Sequence, residues 1–236
     1  MFNMNKGVNG LYNRFIKRVL DIICALLAMT VFCWLYAIIA LLVRINLGSP
    51  VVFKQPRPGK IDKKTGKEKL FNLYKFRSMS NAKDENGELL PDAQRLTKFG
   101  RILRATSLDE LPEAWNILKG DMSVIGPRPW AVSYLAYFTP DEHRRHLVRP
   151  GLSGWAQVNG RTAATWDDRL KFDLEYVDKV SLRFDLKILF YTVKKVVSHS
   201  DIVEAGQQGD FSTYREKQWK LGLVSRPTSN ETRREE

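Results

Sequence analysis

Cysteine and histidine are scarce in this chain of 236 residues, which carries two of the first and three of the second. Cys24 and Cys33 both lie inside an apolar stretch. Their spacing puts them on opposite sides of a helix, so no disulfide is expected and nothing points to an oxidising compartment. His143 and His146 stand at helical i, i+3 spacing without a cysteine or third histidine nearby. This argues against a zinc site and predicts a solvated helix face. Acidic residues are outnumbered, 26 against 38 Lys and Arg, giving a formal charge of +12. That imbalance implies an anionic partner: nucleic acid, anionic lipid or a phosphorylated substrate. Internal repeats are also missing, and the length allows one domain with a real core and an appendage.

The longest absence is of charge. From Ile22 to Val43 no charged residue occurs, and there is little polarity beyond Thr30 and the two cysteines. A run of that length reaches the threshold for a membrane helix. Its twelve Leu, Ile, Val and Phe residues give roughly −4 to −7 kcal/mol of insertion free energy. A cleaved signal peptide would be shorter and would end in a small-residue cleavage pattern. Basic residues flank both ends, Arg14, Lys17 and Arg18 before, and Arg44, Lys54 and Arg57 after. The positive-inside rule therefore favours both ends in the cytoplasm, which a re-entrant helix satisfies; a straight span is the alternative. Proline is missing between Val19 and Gly48, so a sharp bend lacks its usual cause. Trp34 and Tyr36 suit an interface better than a bilayer centre.

Further along, Val51 to Gln55 and Phe71 to Arg77 are predicted as short strands, the second alternating through Phe71, Leu73 and Lys75. Lys60 to Lys69 forms a charged hairpin loop between them, and Asp84 to Gly87 another polar loop. Arg95 to Arg104 sets Leu96, Phe99, Ile102 and Leu103 beside four cations, the pattern of a helix lying in a membrane surface. Leu182 to Val197, with Lys187, Lys194 and Lys195, repeats it. After Ser225 the charged, proline-bearing tail reads as disordered.

The centre of the sequence is Ser107-Leu108-Asp109-Glu110-Leu111-Pro112. Leu108, Leu111, Trp115 and Leu118 recur at helical spacing and predict an amphipathic helix. Ser107 with Glu110 spells a capping box, which would make Glu110 purely structural. Pro112 argues against that register, because it is comfortable at a first helical position and not where a backbone N–H is needed. A helix starting near Pro112 leaves Asp109 and Glu110 outside its N-terminus, where negative charge is favoured. Adjacent ionised carboxylates there could be a nucleophile or a metal ligand in phosphate chemistry, although acids at helix starts are common for structural reasons alone. Arg128 is held in a stiff turn between two prolines. The stretch from His146 to Arg161, with three glycines, a proline and two arginines, reads as a long functional loop and not as a core element. Singly, each arginine is a surface charge; clustered in glycine-proline loops they form forks for phosphate oxygens.

Taken together, Lys75-Phe76-Arg77-Ser78-Met79, Ser107 to Pro112, Lys119-Gly120-Asp121-Met122-Ser123, Gly126-Pro127-Arg128-Pro129 and Arg149 to Arg161 resemble the bacterial sugar transferases. These are monotopic polyprenyl-phosphate glycosyl-1-phosphate transferases, and the likeness runs from about Lys17 to Val197 in what looks like their minimal catalytic form. It implies a mainly helical α+β fold: an N-terminal re-entrant (alternatively spanning) hydrophobic helix, amphipathic interfacial helices and a small β-hairpin. The expected organisation is a basic segment over 1–18, a membrane-inserted helix over 19–47, a catalytic domain over 48–200 and a C-terminal extension over 201–236. The family reaction moves a sugar-1-phosphate from a UDP-sugar to undecaprenyl phosphate, releasing UMP, at the cytoplasmic face of the bacterial inner membrane. By resemblance, Asp109 is the nucleophile and Mg²⁺ contact and Glu110 its partner. Arg104, Arg128 and Arg161 are associated with phosphate, and Arg77, Arg149 and Gln157 join them as candidate substrate-binding residues. In one respect the sequence departs from the pattern: where many members carry a proline in the apolar segment, this chain has Cys33-Trp34. The competing readings are a non-catalytic, membrane-anchored basic binding module and, resting on charge alone, a nucleic-acid binder. No nucleic-acid motif occurs, so nucleic acid is not expected among the partners.

Overall fold

The structure, a computed structural model, describes residue 8 and residues 10–160, 165–198 and 209–227. In chain order the helices and strands begin with α1 (Lys17–Val31), α2 (Cys33–Leu47), β1 (Val52–Ile61), β2 (Glu68–Phe76), α3 (Lys98–Ala105) and α4 (Glu113–Lys119). They continue with β3 (Ser123–Ile125), β4 (Gly151–Ser153), α5 (Trp155–Gly160), α6 (Trp166–Lys179), α7 (Leu182–Ser198) and α8 (Phe211–Lys220). The mainly helical character and the hairpin, β1 against β2, agree with expectation, although both strands run further than predicted. The chain divides into two compact units.

One unit comprises 22–55 and 72–119. Its core is Ile39, Val43, Phe76 and Leu103, with Leu35, Tyr36, Phe99, Leu108 and Leu111 packed against it. Helix α3 starts at Lys98 rather than at Arg95, because Thr97 caps it by accepting from the Gly100 N–H at 3.0 Å. A side chain at Gly100 is impossible there, since its Cβ would lie 1.8 Å from the Ser78 carbonyl oxygen. Helix α4 is tied to β2 by Asn116, which is fully buried. Its amide accepts from the Tyr74 N–H at 3.0 Å and donates to the Asn72 carbonyl at 2.7 Å, standing in for a neighbouring strand.

No single described helix is long and apolar enough to cross a membrane. The apolar segment is instead a broken pair of helices bent by 65°. Without proline, the bend traces to Thr30, whose hydroxyl donates back to the Leu26 and Leu27 carbonyls at 2.8 and 3.2 Å. Such back-bonding competes with the helical ladder and bends helices. Phe32, at φ −101° and ψ 14°, takes up the break. Leu26, Leu27, Val31, Trp34, Ile38, Leu41 and Leu42 are all exposed.

The other unit comprises residues up to Asp21, 56–71 and from Gly120 onward. Its main core gathers Ile125, Leu147, Val148, Val158, Tyr176, Val177, Val180 and Ile188. The stretch from His146 onward is therefore not a surface loop. Gly151–Ser153 is a parallel strand paired with Ser123–Ile125, and Trp155–Gly160 is a helix whose Ala156 and Val158 are buried. The glycines permit the backbones to meet: a Cβ on Gly151 would sit 2.0 Å from the Gly126 nitrogen, and one on Gly154 would sit 2.1 Å from the Gly126 oxygen. A second, aromatic cluster joins Trp130, Phe138, Leu170 and Phe211, so α8 is packed structure within the C-terminal extension. The disorder expected after Ser225 falls, from residue 228 on, outside the described residues. Asp185 on α7 accepts from Tyr12, Lys17 and Tyr176, fixing α7 to the start of α1.

The two histidines are not on a solvated face. His143 Nδ1 lies 2.9 Å from Glu68, and His146 is 4% exposed. Both belong to a 3-10 helix, Glu142–Leu147, which turns His146 inward with Leu147. Burial, aided by the charges of Arg145 and His143, holds the His146 imidazole well below its ordinary pKa. An unfolded chain takes up that proton near pH 6.5 while the folded one does not, so stability is lost as pH falls below about 6.5. The unfolding free energy should decline by at most about 1.4 kcal/mol per pH unit from this group. His146→Gln should flatten that slope between pH 6.5 and 5.5 in denaturant titrations; an unchanged slope would contradict the assignment.

Candidate active site

The carboxylate turn belongs wholly to the unit built on 22–55 and 72–119. Helix α3 ends at Ala105, and just beyond its cap Thr106 stands Ser107, whose φ of 55° and ψ of 17° are left-handed. It is the one non-glycine residue with positive φ among the described residues. Left-handed residues commonly end helices, but a serine there costs about 1–2 kcal/mol of strain. Its side chain makes no capping bond, so the capping box suggested by Ser107 and Glu110 does not form. A 3-10 turn, Leu108–Glu110, follows, and α4 begins only at Glu113. The single amphipathic helix predicted through Leu108, Leu111, Trp115 and Leu118 is thus two pieces. Leu108 and Leu111 pack on the core, while Trp115 is 48% exposed and α4 buries Glu113, Ala114, Asn116 and Ile117. The break at Leu111-Pro112 shifts the helical phase and moves Trp115 off the buried side.

Asp109 is nearly buried, at 7% exposed. Glu110 is oriented by Lys75 on β2, whose Nζ lies 2.7 Å from Glu110 and 3.1 Å from Glu113. Tyr36 donates to the Leu111 carbonyl at 2.6 Å and holds the end of the turn. Arg104, exposed on the last turn of α3, anchors its Nε on Ser78 at 2.9 Å. Arg77 is used differently. Its guanidinium donates to the Ser49 carbonyl at 2.9 Å and to the Leu47 carbonyl, closing the end of α2.

The remaining candidates lie in the other unit. Arg128 follows Gly126-Pro127, and its carbonyl accepts from Arg145 at 2.8 Å. Arg145 is fully buried and pairs with Asp173 at 2.6 Å, so an internal ion pair fixes the backbone that carries Arg128. Arg169 sits close enough for burial and the Arg128 charge to lower its pKa. Arg149 donates from Nε to the Gly120 carbonyl at 3.0 Å. Gln157 donates to the Leu152 carbonyl at 2.9 Å, and its buried oxygen has no partner among the described residues. Arg161 lies outside the described residues.

Among the described residues no three His, Cys, Asp or Glu side chains gather as a metal-ligating cluster. One near-buried aspartate beside a lysine-bound glutamate does fit magnesium, which takes one or two carboxylates and fills its sphere with water and substrate phosphates. Sequence reasoning did not name Lys75 as a site residue, although it stands in an alternating strand and opens the Lys75-Phe76-Arg77-Ser78-Met79 motif, and it did not single out Arg169. It also missed Asp21, which accepts from the Ser123 hydroxyl and the Val124 N–H, both at 2.9 Å.

A family profile described as bacterial sugar transferase matches residues 12–199. The chain is 46% identical over 182 residues to the uncharacterized sugar transferase EpsL of Bacillus subtilis, covering 77% of this chain and 87% of that protein. It is 41% identical over 195 residues to the UDP-glucose:undecaprenyl-phosphate glucose-1-phosphate transferase of Escherichia coli, covering 78% of this chain and 40% of that protein. It is 38% identical over 192 residues to a UDP-N-acetylgalactosamine-undecaprenyl-phosphate N-acetylgalactosaminephosphotransferase of Aeromonas hydrophila, covering 78% of this chain and 44% of that protein. The chain thus spans most of the first relative and less than half of the other two.

Replacing Lys75 by Met leaves Glu110 and the buried Glu113 without their shared cation. Breaking a fully buried pair costs about 3–5 kcal/mol, and partial exposure reduces that here to about 2 kcal/mol. Thermal unfolding of Lys75→Met should show that loss, and the Lys75→Met, Glu113→Gln double variant should recover part of it. Equal stability of Lys75→Met and the wild type would contradict the clamp.

Proposed function

Because the chain belongs to the bacterial sugar transferase family, we propose that it transfers a sugar-1-phosphate from a UDP-sugar to undecaprenyl phosphate at a membrane surface. The observation that carries the reading is the Asp109 turn: a near-buried carboxylate on a strained turn, with the neighbouring acids Glu110 and Glu113 bridged by Lys75. Strain concentrated beside one chemically capable side chain is a mark of function.

In the proposed reaction an Asp109 carboxylate oxygen attacks the sugar-linked phosphorus. The bond from that phosphorus to the bridging oxygen breaks, and UMP leaves with that oxygen. A phosphate oxygen of undecaprenyl phosphate then attacks the same phosphorus and frees the carboxylate, leaving a lipid diphosphate-sugar. Splitting the transfer lets a soluble donor and a lipid acceptor use one nucleophile in turn. Arg104 supplies a guanidinium fork for the phosphate oxygens, a role the resemblance gives to Arg128 and Arg161 as well. Mg²⁺ bound at Asp109 would supply further neutralisation of the diphosphate charge. Glu110, held by Lys75, serves as the positioning partner of Asp109.

Membrane attachment is part of the same proposal. The exposed apolar residues of α1 and α2 form far more than the scattered apolar exposure of a soluble surface. On α7, Leu186, Phe190, Val193 and Val197 lie on one face and are 54–72% exposed, while Asp185 and Ile188 face the core. Lys187, Lys194 and Lys195 on the same helix suit anionic headgroups. The 65° break supports a re-entrant segment over a straight span.

A panel of UDP-sugars assayed for UMP release with undecaprenyl phosphate tests the function. Wild type should release UMP with at least one donor, and Asp109→Asn should lose essentially all turnover while remaining in the membrane fraction. Wild-type activity in Asp109→Asn under saturating Mg²⁺ would remove the nucleophile. For topology, single cysteines at Asn3 and Ser49 should both label from the cytoplasmic side alone; labelling from opposite sides would establish a span.

A further inference from the structure

Helix α8 begins at Phe211, past residue 199 where the family profile ends, and no step of the proposed reaction draws on it. Its side chains are nevertheless packed as a core. Phe211 is fully buried, with its ring centroid 5.3 Å from those of Trp130, Tyr134 and Trp166. Tyr134 also donates to Asp210, which caps α8 by accepting from the Ser212 N–H. One turn on, the fully buried Arg215 donates to Glu142 at 2.6 Å. Glu142 opens the 3-10 helix that carries Arg145, and its other oxygen accepts from the Thr139 N–H at 2.7 Å. All of these residues belong to the unit that holds Arg128.

Both sets of contacts lead to one piece of backbone. Trp130 stands two residues after Arg128, with Pro129 between them. The proline ring fixes φ, so little rotation is available to uncouple the Trp130 ring from the Arg128 backbone. The Arg145 guanidinium lies 4.3 Å from the Trp130 ring centroid and donates to the Arg128 carbonyl at 2.8 Å. Trp130 therefore touches Phe211 of α8 as well as the side chain that holds Arg128. Close-packed rings transmit a displacement and do not absorb it. The second tie, Arg215 to Glu142, reaches the short helix from which Arg145 projects. An ion pair out of water adds little net stability over an apolar replacement, so what this one contributes is position.

We infer that α8 braces the Arg128 turn, and that Phe211 is a positioning residue which keeps the Arg128 fork aligned for substrate phosphate. The inference rests on the transferase reading and on the phosphate role that the resemblance gives Arg128; its test separates the two. The full chain in nanodiscs is assayed for UMP release with undecaprenyl phosphate and a UDP-sugar that supports turnover. Phe211→Ala should lower kcat/KM about tenfold, within the roughly hundredfold that an ångström of misplacement can cost. Arg128→Lys keeps the charge and gives up the planar fork, so it should lose activity by a similar factor. Adding Phe211→Ala to Arg128→Lys should then cost under about twofold more, because no fork remains to be aligned. Phe211→Met, which refills much of the space, should regain part of the loss in the chain that keeps Arg128 and nothing in the Arg128→Lys chain. Should Phe211→Ala not fold, Tyr134→Phe removes only the tie to the α8 cap and runs the same cycle, with an expected loss of about threefold. A loss that multiplies in full on the Arg128→Lys background would make α8 general scaffolding and overturn the inference. Wild-type kcat/KM in Arg128→Lys, or in the α8 variant used, would overturn it too. Wild type that releases UMP from no donor would sink the transferase reading, and this one with it.

Discussion

Asp109, Glu110 and Glu113 crowd three acids into a short stretch, and their repulsion must be offset before the chain can turn from α3 into α4. The Lys75 ammonium does this by lying between Glu110 and Glu113. The remaining constraints act on the backbone: left-handed Ser107 stands just beyond the end of α3, and Tyr36 holds the Leu111 carbonyl. Asn116 fastens α4 to the strand that carries Lys75. Each of these contacts lies inside one compact unit, so the geometry around Asp109 is determined locally. Preorganisation of this kind is what a nucleophile needs, since a carboxylate free to rotate would have to be ordered at the moment of reaction.

The other unit solves a different problem, the presentation of arginines on a defined backbone. Gly126, Gly151 and Gly154 let two chain segments approach within distances that no side chain would tolerate. The buried Arg145–Asp173 pair then fixes the carbonyl of Arg128. Burying an ion pair gives little net stability compared with an apolar replacement, so its value here is positional. Asp185 adds a further tie, between α7 and the beginning of α1. The amphipathic α7 and the basic start of α1, two features on which the proposed membrane attachment draws, are thereby held in one frame.

Much of this was legible from residue patterns, and the failures have physical causes. The apolar run, the hairpin and the two basic amphipathic helices follow from periodicity and charge, which survive folding unchanged. Pro112 correctly argued against a cap at Ser107, because proline chemistry is local. The bend near Phe32 was obscured by attention to proline, when the active agent was the Thr30 hydroxyl. The stretch from His146 to Gly160 looked like a loop because its glycines were read as flexibility. They are instead sites of close backbone approach, which only a partner segment distant in sequence reveals. Lys75 could not be assigned for the same reason, since its partners lie more than thirty positions away. The resemblance supplied the roles proposed for Asp109 and Arg128, whereas spacing alone left the two acids open between a structural and a chemical role.

Trapping the covalent species addresses the central claim most directly. Purified, magnesium-replete protein incubated with a UDP-sugar that supports turnover, and without lipid acceptor, should gain the mass of one sugar-phosphate. Peptide mapping should place that mass on Asp109, and undecaprenyl phosphate should remove it. A protein that turns over the donor yet never carries the adduct, or carries it on another side chain, would contradict the account.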